Sequence, residues 1–193
     1  MDKNIEHYFF RKENFLSGEY CESCINELNK HSWEKHQWYQ TNDDLYHKPQ
    51  GDHEPEVIGL ERFSKNVQKI NAFIVKELYS TILEYVSSFD FDWFAAWKGY
   101  SAIKFIRYGH GQQMENHCDH ISSLFKDGNG VPFLSIIGLL NDDYEGGELI
   151  MFEDKKIETK QGDLLIFPSN FLYPHEITPV TKGVRYSYVS WVW

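Results

Sequence analysis

The sequence predicts an α+β domain in which a double sheet or jelly roll packs on N-terminal helices. Two observations carry this. Apolar residues recur every three or four positions up to about Ser87. After Lys98, short apolar runs bounded by Gly, Asn, Asp and Pro recur to the end of the chain. Helices first and strands afterwards is the pattern of an α+β domain. At 193 residues the chain suits one well-filled core, so a single domain over 1–193 is expected, with 1–97 as a helical support region and 98–193 as the β core.

The first helix is expected from near Ser17, with Tyr20, Cys21, Cys24, Ile25 and Leu28 on one face. Cys21 and Cys24 form a CxxC, but no second ligand pair of similar spacing accompanies them, so both are read as buried packing groups. Residues 31–58 mix aromatic and polar groups around a Pro49-Gln50-Gly51-Asp52 turn signal, which predicts a short strand or two in irregular loops. His31, His36, His47 and His53 lack ligand spacing there and are expected at the surface. Phe63, Val67, Ile70, Ile74, Leu78, Ile82 and Tyr85 predict a long helix from about Leu60 to Ser87. Strands are expected near 101–108, 115–119, 133–140, 147–152, 156–159, 163–167, 173–177 and 184–192. The run FLSIIGLL is continuously apolar and reads as a central strand buried on both faces.

A hydrophobic fraction of 41% with 17% aromatic residues excludes a disordered chain. The net charge of −10 disfavours nucleic acid as a partner. No segment reads as a signal peptide or a membrane span, and three cysteines with no even pairing fit a reducing compartment, so a cytoplasmic protein is expected.

The chemistry concentrates in Tyr108–His120, YGHGQQMENHCDH. Alternation along a strand sends His117 and Asp119 to one face and His120 to the other, while His110 lies across a Gly-flanked turn. An HxD triplet alone is weak, because a solvated strand end explains it equally well. His175, at the edge of a later apolar segment, is the best candidate for a third ligand. Two imidazoles and one carboxylate form the facial set of non-haem Fe(II) oxygenases, with positions left open for a co-substrate and dioxygen. Arg185 shares its strand face with Ser187, Val189 and Trp191, and a half-buried guanidinium needs an anion.

The ordered set HCDH, NDDYEGGELIMF and GDLLIFPSNFLYPHEITPVTKGVRYSYVSW resembles the 2-oxoglutarate- and Fe(II)-dependent dioxygenases, particularly their prolyl 4-hydroxylase-like branch, over roughly residues 100–193. The resemblance implies a double-stranded β-helix in which His117, Asp119 and His175 hold iron and Arg185 binds the far carboxylate of 2-oxoglutarate. Ser187 would assist Arg185, and Tyr108 would face the co-substrate or the metal. The branch commonly carries an aromatic residue just before Leu-Asn in the central strand, where this chain has Gly138-Leu139-Leu140-Asn141. Gly146 and Gly147 fit the family's turn into a strand. The implied reaction consumes dioxygen and 2-oxoglutarate, releases succinate and carbon dioxide, and hydroxylates proline in a peptide or protein. Alternatives are the same chemistry on a free amino acid, another small molecule or an alkylated base, or a binding module that has lost its iron. Residues 36–58 and 120–132 are candidate lids, the second expected to be mobile.

Overall fold

Serine caps set the start of both helices, and most of the strands among the described residues fall into two sheets, of seven and four strands. The computed structural model describes residues 4–36, 39–40, 46–47, 51, 53–89, 99–119 and 131–193. In chain order these are a 3-10 turn (Ile5–Tyr8), β1 (Phe10–Lys12), α1 (Gly18–Leu28), β2 (Glu34–Lys35), β3 (Tyr39–Gln40), β4 (Tyr46–His47), β5 (Glu56–Ile58), a second 3-10 turn (Leu60–Arg62) and α2 (Lys65–Ser87). There follow β6 (Lys104–Tyr108), β7 (Met114–His117), β8 (Leu134–Leu139), β9 (Glu145–Gly146), β10 (Leu149–Met151), β11 (Lys155–Ile157), β12 (Leu164–Pro168), β13 (His175–Ile177), β14 (Val180–Lys182) and β15 (Arg185–Val192).

The Ser17 hydroxyl accepts the Tyr20 N–H at 3.2 Å and so caps α1. Ser64 caps α2 in the same way through Val67. This places the start of the long helix at Lys65 rather than near Leu60, where the chain forms a separate 3-10 turn. α2 then runs unbroken and buries Val67, Ile70, Ile74, Leu78, Ile82 and Tyr85 along one stripe. Cys21 and Cys24 are buried on α1, as their spacing predicts.

One sheet has seven strands in the order β1-β12-β8-β15-β6-β5-β2, and a second has four in the order β11-β10-β13-β7. Two-residue alternation divides the larger sheet between two cores. Phe105, Ile136, Leu164, Ile166 and Tyr188 point outward and pack with α1 and α2. Ile106, Ile137, Leu139, Leu165 and Phe167 point inward and meet Leu149, Met151 and Ile177 of the smaller sheet. This is the jelly roll, and β8 is buried along its whole length. Gly138 sits opposite Tyr188 in the β8–β15 register. A Cβ there would lie 1.9 Å from the tyrosine Cζ, so only glycine lets that ring cross the strand.

The N-terminal region departs from a purely helical support. β1 pairs with β12, and β5 and β2 extend the sheet beyond β6. Arg11 fastens β1 by donating from Nε (2.9 Å) and Nη2 (2.6 Å) to Asp163, which also accepts the N–H groups of Asn14 and Lys160. The strand expected over 147–152 starts at Leu149, because Gly146 and Gly147 have φ of +74° and +61°. Those two glycines turn the chain out of the short β9–β14 pair. The strand expected over 115–119 ends at His117, which leaves Asp119 outside it. His120 and most of the candidate lid 120–132 lie outside the described residues, as does much of 36–58.

Candidate active site

The site is built on one cross-strand pair. β7 and β13 run antiparallel with His117 directly opposite His175, which sets the two imidazole centroids 4.4 Å apart. Each ring aims its Nδ1 at a backbone carbonyl two residues earlier: His117 at Glu115 (2.7 Å) and His175 at Tyr173 (3.1 Å). A carbonyl only accepts, so both Nδ1 atoms carry protons and both Nε2 atoms are left as ligand atoms. They converge on Asp119, at 3.6 Å from His117 Nε2 to Oδ1 and 3.9 Å from His175 Nε2 to Oδ2. The three donor atoms lie within 4.8 Å of one another. This donor set fits a divalent metal, since two tautomer-fixed imidazoles and one carboxylate converge on one point.

Asp119 reaches this point although its strand has ended. Its Oδ2 accepts a 2.6 Å hydrogen bond from Ser135 on β8, and Ser135 in turn contacts the Ser169 hydroxyl at 2.9 Å. Both serines are buried. Burial pushes the Asp119 carboxyl up, but His175, His117, Ser135 and the Trp191 indole outweigh it and hold the group below its ordinary value. Burial and the neighbouring His175 push His117 down to about 4, so its imidazole is neutral at physiological pH. Phe167 lies edge-on to His175 at 5.2 Å between ring centroids and closes that side with apolar surface.

Among the described residues Arg185 is the largest fully buried side chain, at 1% exposure. It opens β15 opposite Tyr108, with its guanidinium carbon 5.1 Å from that ring's centroid. Its Nη1 donates to Ser187 at 2.8 Å, and its Nε has no partner among the described residues. No described carboxylate lies within ion-pair distance of it. Gly147 makes room, since a Cβ there would stand 3.1 Å from Arg185 Cδ. Burial pushes the Tyr108 phenol up to about 12 despite the adjacent guanidinium, so Tyr108 is a neutral hydrogen-bonding group. All six residues singled out in the sequence, His117, Asp119, His175, Arg185, Ser187 and Tyr108, therefore line one barrel interior.

Three participants escaped the sequence reading. Ser135 was hidden inside the apolar run of β8, although a lone serine in such a run must find a partner. Lys104 shares the inward face of β6 with Ile106 and Tyr108. His36, expected at the surface, is instead mostly buried, 3.7 Å from the buried Glu54 carboxylate, and burial lowers its pKa. β5 pairs with β6 and β2 with β5, which brings His36 inward, and its local sequence does not signal this.

Residues 103–193 match the family described as the 2OG-Fe(II) oxygenase superfamily. The match spans just under half of the chain and takes in His117, Asp119, His175, Arg185, Ser187 and Tyr108. The chain is 33% identical over 96 residues to a PKHD-type hydroxylase of Paraburkholderia xenovorans, an alignment that covers 46% of this chain and 40% of that protein. The chain spans less than half the length of the curated relatives it matches. Among solved structures, the prolyl hydroxylase of Trichoplax adhaerens in complex with a hypoxia inducible factor peptide fragment shares the oxygenase fold at a TM-score of 0.67 and 19% identity. That alignment covers 96% of this chain and 83% of that one. A viral collagen prolyl hydroxylase from Paramecium bursaria Chlorella virus-1, solved with 2OG, aligns at a TM-score of 0.61 and 17% identity over 96% of this chain and 95% of that one. No helix among the described residues is long and apolar enough to cross a membrane.

Proposed function

We propose that the chain is a 2-oxoglutarate- and Fe(II)-dependent hydroxylase acting on proline in a peptide or protein. One observation carries the reading: a two-histidine, one-carboxylate donor set shares its barrel with a buried arginine that has no described acid to pair with. Iron, with dioxygen and 2-oxoglutarate, supplies oxidative chemistry that releases succinate and carbon dioxide. The protein supplies position. His117 and His175 offer Nε2, and Asp119 offers a carboxylate oxygen held in place by Ser135. Arg185 takes the far carboxylate of 2-oxoglutarate through its planar fork, with Ser187 steadying Nη1 and Tyr108 beneath the guanidinium. Leu139, where the prolyl hydroxylase-like branch commonly has an aromatic residue, faces the same interior and leaves that carboxylate to Arg185 and its neighbours.

Proline in a peptide is supported by the named relatives and by the exposed Phe133, which directly precedes β8. Phe133 and Phe171 are 61% and 75% exposed, and the Phe133 carbonyl accepts the Ser169 N–H beside the Ser135–Asp119 contact. An alkylated base fits less well with a net charge of −10. We read the chain as one domain, residues 1–97 supporting 98–193. We place it in the cytosol, where its three free cysteines stay reduced. The test is succinate formation from 2-oxoglutarate with proline-containing peptides, free amino acids and methylated oligonucleotides. Stimulation by the peptides is expected. Stimulation by the oligonucleotides alone overturns the substrate class, and absence of both iron binding and succinate overturns the enzyme.

A further inference from the structure

Lys104 stands at the end of the barrel where Asp119 lies. The strand register fixes this: Tyr108, Ile106 and Lys104 of β6 face Arg185, Ser187 and Val189 of β15 in turn, and the next inward residue of β15, Trp191, pairs with Ser135. Ser135 touches Asp119, so Arg185 marks one end of the interior and Trp191 the other. Four residues of strand separate Lys104 from Tyr108, about 13 Å at ~3.3 Å per residue. A co-substrate that spans from Arg185 to the metal therefore stops short of Lys104, which lies on the side left for the substrate.

The Lys104 ammonium lies 5.6 Å from the centroid of the Trp191 ring. It makes no hydrogen bond and no ion pair among the described residues. Glu61 and Asp119 act on it only from a distance, and burial outweighs both in lowering its pKa. His36, the remaining ionisable group that senses Lys104, is itself kept neutral by burial. Long lysine side chains ordinarily carry their charge out to water. Here the lysine nitrogen stays over an indole, and a single lysine with no second cation beside it matches one carboxylate better than a phosphate.

We propose that Lys104 sets specificity for an anionic substrate, pairing with a carboxylate on the molecule oxidised at this site. The inference rests on the oxygenase reading above and narrows its substrate class. The carboxylate belongs either to a free amino acid or to an acidic side chain beside the target residue of a peptide.

The test uses the full chain loaded anaerobically with Mn(II) and 2-oxoglutarate, and reads the paramagnetic relaxation of acetate and acetamide methyl protons. Acetate is expected to show saturable enhancement at concentrations about tenfold below any seen for acetamide. Lys104→Met should abolish the difference, and Lys104→Arg should keep it. Displacement of acetate by L-proline assigns the carboxylate to a free acid, and displacement by a capped Pro-Glu dipeptide assigns it to a peptide side chain. Equal enhancement by acetate and acetamide, or an unchanged preference in Lys104→Met, overturns the inference. So does a loss of 2-oxoglutarate affinity in Lys104→Met as large as that in Arg185→Ala, because Lys104 would then belong to the co-substrate. Protein that takes up Mn(II) but no 2-oxoglutarate overturns the oxygenase reading itself, whereas loaded protein without a carboxylate preference overturns only the role of Lys104.

Discussion

Ser135 fixes the Asp119 carboxylate, because its hydroxyl donates to Oδ2, the oxygen nearer His175, and so leaves Oδ1 turned toward His117. Ser135→Ala should lower Mn(II) affinity about 10-fold or more, with Ser135→Thr retaining most of it, as read by metal titration of the apo protein. Arg185→Ala should leave metal binding intact. It would strand a carboxylate in an apolar barrel, at about 3–5 kcal/mol, so 2-oxoglutarate affinity measured anaerobically should fall by roughly two to three orders of magnitude. Unchanged affinity would remove 2-oxoglutarate from this position. The site was legible where a residue's chemistry is costly to waste: a half-buried arginine without an acid, and histidines in an ordered set with aspartate. Serine gives no such signal, because a small hydroxyl passes unnoticed in an apolar strand until its partner is known. The alternation that grouped His117 with Asp119 relied on a strand that ends too early, and the Ser135 contact brings the two together where the strand does not.

β1 is three residues long and holds to the sheet through one charged clamp. Asp163 is buried and keeps two backbone N–H donors when the arginine is removed, so Arg11→Ala should cost about 2 kcal/mol in urea denaturation rather than the larger loss of an unpaired buried charge. A cost near zero would mean that β1 adheres through its backbone alone. On α1, burial pushes the Cys21 thiol up to about 11 and the Cys24 thiol up to about 12. Both should therefore resist iodoacetamide at pH 8 in the native protein and react on unfolding. Thiol pKa values raised by folding also fix a sign: stability is fully present below the ordinary value of 9.0 and is lost as pH rises toward 11–12, because the unfolded chain ionises first. Helices were legible from spacing, and serine caps sharpen their ends. β1, β9 and β14 were not, since runs of two or three residues carry no period and owe their state to partners far along the chain.

The seven-stranded sheet has no exposed long edge on the β12 side, because β1, from the other end of the chain, covers it. Such closure is invisible to local patterns, whereas helices preceding strands pointed to a double sheet or jelly roll, and the family resemblance implied the second. Ligands that bind only the folded barrel should stabilise it. At about 100 times their dissociation constant, Mn(II) and then 2-oxoglutarate should each add roughly 2.7 kcal/mol, or about 5–10 °C in Tm for a chain of this size. In Arg185→Ala the second increment should vanish and the first remain. Tyr188 and Ser187 adjoin in sequence yet look into different rooms, one toward the helices and one toward Arg185. The sheet is thus a party wall. Occupants on the helix side can be exchanged, provided they suit one another, while the furniture on the far side stays where it is. Substitutions confined to the helix side can therefore leave the far side undisturbed, and the fold persists in a solved prolyl hydroxylase that aligns over 96% of this chain at only 19% identity.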